Sequence, residues 1–253
     1  MIDIEKDKQE FLKYVNNFDN TEYCIEQKKQ HSLRVMEISK EIAEKLKLEK
    51  EKIELATLIG LLHDIARFEQ YTIYRTFRDF DSIDHGDYGV QILEKDIRKY
   101  IDINQYDEII KKAVKNHNKY KIEKGLNLEE ELYAKIIRDA DKLDIIYEAV
   151  DVFWKEKKEV QEIENGKLSE KMLEDFYSYK VANNINRISM ADQILRFASF
   201  IFDINFKCSL EILRENDNIS KMIDRFNYQI PETEEELKKI KQFANNYINE
   251  KTK

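Results

Sequence analysis

Apolar residues recur at helical spacing through most of the chain, and this pattern predicts long helices. One face of a helix over about residues 22–47 carries His31, Val35, Ile38 and Ile42. The same spacing predicts further helices over about 50–66, from His85 onward, over about 105–118 and over about 129–156. Each helix would turn an apolar stripe, with a histidine in several of them, toward a shared core.

Breaks in the pattern divide these helices. Residues 66–84 are aromatic and charged without clean periodicity, and they are predicted to form a long loop; 119–128, which contains Gly125, is predicted to form a second loop. A break at Asn165-Gly166 precedes three or four further helices over about 168–250. Interruptions are expected near Asn216-Asp217-Asn218 and before Pro231.

Composition strengthens the helical interpretation. The 253 residues include only 5 Gly and 1 Pro, whereas all-β folds need turn residues every few positions. The chain shows no internal repeat and no low-complexity linker. We therefore predict an all-α fold, a compact multi-helix bundle in a single domain over 1–253. Its core would span 22–156, followed by a helical C-terminal extension over 157–253.

Charge and hydropathy exclude several classes of partner. A net charge of -8 disfavours a nucleic acid polymer, although small phosphorylated ligands need only a local cationic pocket. The longest apolar stretches are too short for a membrane span, and the charged N-terminus lacks the apolar segment of a signal peptide. Cys24 and Cys208 lie far apart and suit reduced thiols. These features predict a cytoplasmic protein without a membrane partner.

The candidate chemistry lies in the histidines. The chain has four, and each lies in a segment suited to a metal site; they are His31, His63, His85 and His117. Asp64 directly follows His63, and an acidic cluster occurs downstream at residues 139–144. Imidazoles and carboxylates on separate helices of a bundle can converge on a metal.

The number of histidines predicts two metal ions rather than one. A single ion needs only His31, His63, Asp64 and one downstream carboxylate, and two more buried imidazoles would then be costly polar groups without a purpose. A second ion would use them, with Asp64 bridging the pair. Mixed histidine and carboxylate ligands suit transition metals: Fe or Mn are favoured, and Co, Ni and Zn are alternatives.

The order of these residues resembles the HD superfamily of metal-dependent phosphohydrolases. The quoted segments are LLHDIARFEQ, IDHGDYGVQIL, KNHNKY and RDADKLD, and the likeness spans about residues 25–150. With His85 and His117, the chain resembles the two-metal branch, which includes HD-GYP phosphodiesterases and mixed-valent di-iron oxygenases. It departs from HD-GYP proteins in lacking the GYP tripeptide and in having Asn118 after His117.

The resemblance also assigns roles to individual residues. It selects Asp141 as the sixth ligand over Asp139 and Asp144, of which Asp144 is expected to act behind the ligands. Arg67 occupies a position where related proteins often hold a substrate-contacting lysine, so it is predicted to be catalytic and substrate-binding alongside the catalytic Asp64. Lys142 is a further substrate-binding candidate.

The predicted activity is hydrolysis of a small phosphorylated substrate, such as a nucleotide, by a metal-activated water. One alternative is a di-iron oxygenase that cleaves a C–C or C–P bond with the same ligands. A second is a non-catalytic nucleotide-binding regulatory protein. In the C-terminal region Asn183, Asn184, Arg187 and Arg196 are expected to supply a lid or pocket wall. A homodimer is one open option for the oligomeric state.

Overall fold

The computed structural model describes residues 2–253, and every regular element in that range is a helix. The prediction of an all-α helical fold is confirmed. The chain divides into two compact units, the first ending at Asp141 and the second running from Lys142 to Lys253. Organisation of the whole chain as a single domain stays a prediction.

The first unit contains six complete helices and the beginning of a seventh. They are α1 (Ile4–Val15), α2 (Tyr23–Lys45), α3 (Lys50–Leu62), α4 (Arg67–Tyr74), α5 (His85–Asp96), α6 (Asp107–Asn116) and α7 (Leu128–Asp151). The apolar pattern predicts five of these, α2, α3, α5, α6 and α7. Their ends differ from prediction most at α7, which stops at Asp151 instead of about 156. Helix α1 lies outside the predicted elements.

The prediction of a continuous loop over 66–84 is wrong. Residues Arg67–Tyr74 form α4, and a 3₁₀ turn follows at Asp79–Asp81. Phe68 of α4 is fully buried and packs edge-on against Phe11 of α1, with 5.8 Å between ring centroids. Because α4 has only two turns and is stabilised by packing on α1, its own sequence carries too little periodicity to reveal it.

Two close helix contacts shape the centre of the first unit. In α3, a Cβ placed on Gly60 would lie 2.6 Å from Ser39 Oγ and 2.8 Å from the Val35 carbonyl oxygen of α2. In α5, a Cβ on Gly86 would lie 2.9 Å from the Lys115 carbonyl oxygen in the last turn of α6. Only glycine permits these approaches, which draw α2 onto α3 and α5 onto the end of α6.

The second unit continues from α7 with shorter helices. They are α8 (Lys157–Glu164), α9 (Glu170–Tyr177), α10 (Ala191–Ser199), α11 (Lys207–Asn216), α12 (Asn218–Asp224) and α13 (Pro231–Lys251). Five of them begin after residue 168, where three or four were predicted. The predicted breaks are present: Asp217 adopts a left-handed conformation with φ of 49° between α11 and α12, and Pro231 occupies the first turn of α13.

No helix among residues 2–253 combines the length and the hydropathy that spanning a bilayer requires.

Candidate metal centre

The six residues predicted as metal ligands lie together in the interior of the first unit. His31 is in the middle of α2, His85 is the first residue of α5 and Asp141 is on α7. His63 and His117 directly follow the last residues of α3 and α6, and Asp64 comes next in the turn after α3. All four imidazoles are at most 4% exposed.

Asp64 lies between two pairs of histidines. Its Oδ2 is 3.5 Å from His31 Nε2 and 3.6 Å from His63 Nε2. Its Oδ1 is 3.4 Å from His85 Nε2 and 3.3 Å from His117 Nε2. Each carboxylate oxygen therefore faces its own pair of imidazole nitrogens, which is the arrangement that a bridging carboxylate has between two metal ions.

Asp141 lies on the Oδ2 side of Asp64. Its Oδ1 is 3.2 Å from His31 Nε2 and 3.8 Å from His63 Nε2. The possible ligand atoms of His31, His63 and Asp141 all lie within 4.8 Å of one another, and the same holds for those of His63, Asp64 and His117. The Oδ2 side thus offers two imidazoles and two carboxylates, and the Oδ1 side offers two imidazoles and one carboxylate.

Hydrogen bonds at Nδ1 orient three of the imidazoles. His63 Nδ1 donates to the Gly60 carbonyl at 2.8 Å, and His117 Nδ1 donates to the Val114 carbonyl at 2.6 Å. A carbonyl only accepts hydrogen bonds, so these contacts assign the proton to Nδ1. Asp79 Oδ2 lies 2.6 Å from His85 Nδ1 and accepts a hydrogen bond from it in the same way. Such bonds behind the ligating nitrogen are typical of metal-bound histidines.

Burial keeps the imidazoles of His63 and His85 neutral. It lowers the pKa of His63 to about 3, and burial together with the nearby Arg67 charge lowers the pKa of His85 to about 4. A neutral imidazole that carries its proton on Nδ1 presents an unprotonated lone pair at Nε2. His63 and His85 are therefore in the protonation state that a metal ligand requires at neutral pH.

On the Oδ1 side of Asp64, no described residue donates a hydrogen bond to that oxygen. Nε2 of His85 and Nε2 of His117 are 3.0 Å apart, and each ring donates from Nδ1, which leaves Nε2 as the acceptor of a neutral imidazole. Asp64 Oδ1 is buried and has no hydrogen-bond partner among the described residues. Three acceptors facing one another repel unless a cation lies between them. The residues present therefore fit a metal ion at this position.

Both candidate carboxylate ligands stay ionised despite burial. Burial by itself would raise the pKa of Asp64, but the positive charges of Lys28 and Arg67 outweigh it and hold that pKa well below its usual range. At Asp141 burial is outweighed in the same way by the hydrogen bond from His31 and the adjacent imidazoles, which lower its pKa. Asp139 and Asp144 are fully buried too, so neither is a solvated surface acid.

Arg67 lies beside the centre, and one nitrogen of its guanidinium, Nη1, is already engaged. Its Nη1 donates to Gln70 Oε1 and to the Phe77 carbonyl, both at 2.7 Å, and to Asp79 Oδ1 at 3.0 Å. Its Nε is 3.4 Å from Asp64 Oδ1 without making a hydrogen bond. These contacts favour a positioning role for Arg67, and its substrate-binding role stays a prediction.

Lys142, the other predicted substrate-binding residue, belongs to the second unit. Its Nζ forms an ion pair with Asp203 at 2.9 Å, and the residue is 8% exposed. An ammonium that is already neutralised by a carboxylate has less charge to offer a phosphate. The substrate-binding role of Lys142 also stays a prediction.

Two residues outside the predicted set contact the centre. Lys28 Nζ is 2.9 Å from Asp64 Oδ2, and Asp79 orients His85. Lys28 precedes His31 by three residues, so helical spacing alone places it on the same face of α2 as that candidate ligand. Asp79 lies in the irregular segment after α4, where no periodicity points to its partner.

Replacing Asp79 by asparagine is expected to weaken the ion on the Oδ1 side of Asp64. The change removes the carboxylate that accepts from His85 Nδ1, and loss of such a partner typically costs about 10–100-fold in metal affinity. Calorimetric titration of the apoprotein with Mn²⁺ measures the two affinities. The exposed Asp81→Asn variant is the control. Equal weakening of both ions, or of neither, would contradict the geometry.

Comparison with protein-family models finds a match to part of the chain. The family model of the HD domain matches residues 29–146. That range contains all six candidate ligands. Neither a curated protein nor a solved structure matched the chain significantly.

Proposed function

Because residues 29–146 belong to the HD domain family, we propose that this chain is a metal-dependent phosphohydrolase with a dinuclear centre. The substrate would be a small phosphorylated molecule, and a nucleotide is the favoured class. One observation carries the proposal: the two oxygens of Asp64 face separate pairs of imidazole nitrogens. A carboxylate placed in this way supports two ions at once.

The ligand set divides between the two proposed ions. His31, His63, Asp141 and Asp64 Oδ2 would hold one, and His85, His117 and Asp64 Oδ1 would hold the other. When bound, divalent ions supply Lewis acidity toward a phosphoryl oxygen and lower the pKa of a water molecule toward neutrality. Nitrogen and oxygen ligands favour Fe or Mn, with Co, Ni and Zn as alternatives.

Lys28 is the residue best placed to bind the phosphoryl group of the substrate. Its ammonium lies at the Oδ2 side of Asp64, 5.5 Å from the centroid of the Phe77 ring, and its side chain is 16% exposed. An ion on that side would share Asp64 Oδ2 with the ammonium and repel it. We propose that Lys28 then turns from Asp64 to the substrate and donates a charge-assisted hydrogen bond to it.

The Lys28→Met variant is expected to lower turnover without weakening metal binding. Metal affinity should stay constant or rise, because a competing cation has been removed. The value of kcat/KM for a phosphorylated substrate should fall about 10–100-fold, because a hydrogen bond to a charged group contributes about 1.5–3 kcal/mol. Lys28→Arg, which keeps the charge, should lose less. Unchanged kcat/KM in Lys28→Met would show that Lys28 does not bind the substrate.

The reaction class can be tested with labelled water. The metal-loaded protein is incubated anaerobically in H₂¹⁸O with nucleoside monophosphates, cyclic nucleotides and p-nitrophenyl phosphate. Hydrolysis by attack of water at phosphorus places ¹⁸O in the phosphorus-containing product. Turnover that appears only in a parallel reaction supplied with dioxygen would instead support the di-iron oxygenase. Tight nucleotide binding without turnover would support a regulatory protein.

A further inference from the structure

The Phe77 ring lies beside the position proposed for the phosphoryl group of the substrate. Its centroid is 5.5 Å from Lys28 Nζ, and the same Nζ lies 2.9 Å from Asp64 Oδ2. Lys28 therefore has the candidate metal centre on one side and the Phe77 ring on the other. A group esterified to a phosphoryl unit that Lys28 binds would start close to this ring.

Contacts with α4 hold Phe77 in place. Arg67 Nη1 donates to the Phe77 carbonyl oxygen at 2.7 Å, and Arg67 Cζ is 5.7 Å from the centroid of the Phe77 ring. Tyr71 lies one helical turn after Arg67. Its ring packs against Phe77 with 5.1 Å between the centroids and 34° between the planes, within the range in which aromatic pairs attract. Phe77 and Tyr71 thus form one preorganised aromatic surface.

The protein covers this aromatic surface only in part. Phe77 and Tyr71 are both half-buried. Phe11 and Phe68 differ, since both pack in the core of the same unit and are 0% exposed. Open aromatic area beside a positively charged side chain is the combination on which proteins stack nucleobases. The surface therefore suits a flat ring that is joined to an anion.

We propose that Phe77, supported by Tyr71, binds a planar ring of the substrate, so that the site selects phosphate esters that carry a nucleobase or an aryl group. The proposal rests on the phosphohydrolase function, which places the phosphoryl group at Lys28 and the metal ions. Stacking on an aromatic side chain tolerates every base, because each base has a π-face. The surface thus selects for a ring rather than for one base, and it disfavours sugar phosphates and alkyl phosphates.

Two ligands that share a sugar and a phosphonate test this proposal. They are the methylenephosphonate analogues of AMP and of ribose 5-phosphate, in which a CH₂ group replaces the bridging oxygen and prevents hydrolysis. The ratio of their affinities isolates the contribution of the base. Anaerobic calorimetric titration of the full-length, Mn²⁺-loaded protein should give at least about fivefold tighter binding of the AMP analogue.

The Phe77→Leu variant keeps an apolar side chain and removes the flat face. It should bind the AMP analogue at least about fivefold more weakly than the unchanged protein, and the ribose analogue within about twofold. Phe77→Tyr keeps the ring and should retain the ratio of affinities within about twofold. Phe80→Leu makes the same change three residues later, at a fully exposed position, and should also keep the ratio.

Tyr71→Leu removes the supporting ring and carries the test if Phe77→Leu fails to fold; it should lower the same ratio. The proposal is overturned if the AMP analogue binds no more tightly than the ribose analogue, or if Phe77→Leu weakens both ligands by the same factor. An equal loss in Phe80→Leu would also overturn it. Failure of the phosphohydrolase proposal appears separately, as absence of turnover in the labelled-water panel, because neither analogue has to be hydrolysed.

Discussion

Replacing Asp64 by asparagine should remove both metal ions and lower turnover by at least about a thousandfold. Each oxygen of this carboxylate lies 3.3–3.6 Å from two imidazole nitrogens, so one substitution alters both candidate sites. An amide is neutral and offers a single oxygen, and it cannot bridge two cations as a carboxylate does. Metal content is measured by mass spectrometry after dialysis, and activity with the substrate that the panel identifies.

The Asp64→Asn experiment needs a control for folding. Lys28 and Arg67 both lie close to Asp64, and the variant leaves their charges without this acid. Far-UV circular dichroism should therefore show an intact helical fold before metal loss is interpreted. Asp81→Asn makes the same chemical change at an exposed position and should keep both ions. Full turnover by Asp64→Asn would show that the centre has been assigned to the wrong residues.

His117→Ala should reduce the metal content from two ions to one. His117 Nε2 lies 3.3 Å from Asp64 Oδ1, and its side chain is anchored through Nδ1 to the Val114 carbonyl. Its loss leaves His85 and one carboxylate oxygen on that side, too few protein ligands for tight binding. The His31 side keeps two imidazoles and two carboxylates, so its ion should remain bound.

The Asp141→Asn variant provides the matched comparison for His117→Ala. Asp141 Oδ1 lies 3.2 Å from His31 Nε2 and 3.8 Å from His63 Nε2, so its neutralisation should weaken the ion on that side and spare the other. Electron paramagnetic resonance of the Mn²⁺-loaded proteins distinguishes a coupled pair from a single ion. The unchanged protein should give the coupled signal, and His117→Ala should give a single-ion signal. Unchanged stoichiometry in His117→Ala would make this histidine structural.

Helices that carry their own apolar stripe were predictable from the sequence. Helices α2 and α6 follow the 3.6-residue period closely enough for their extent to be estimated, and their histidines lie on or directly beside the buried faces. Helix α4 was not predictable, because it has two turns and depends on Phe68 packing against α1. Local periodicity indicates which residues face inward, but it does not indicate which residues from distant parts of the chain they will contact.

In the candidate site too, residue type and order were predictable from the sequence, and contacts between distant segments were not. His31, His63, Asp64, His85 and His117 could be selected because their residue types and order already suit metal ligands, and resemblance added Asp141. The involvement of Asp79 could not be predicted, because its contact with His85 depends on the path of an irregular segment. Arg67 was selected for its charge, while the structure surrounds it with Gln70, Phe77 and Asp79.

The sequence by itself determined the helical class and the chemical types of the candidate ligands, because both depend on residue identity and short-range spacing. Tertiary structure decided how those ligands are divided. Contacts at Gly60 and Gly86 bring α2 to α3 and α5 to the end of α6, and they thereby set one pair of imidazoles on each side of Asp64. This division depends on distances between helices that are far apart in the chain, which no local pattern of residues encodes.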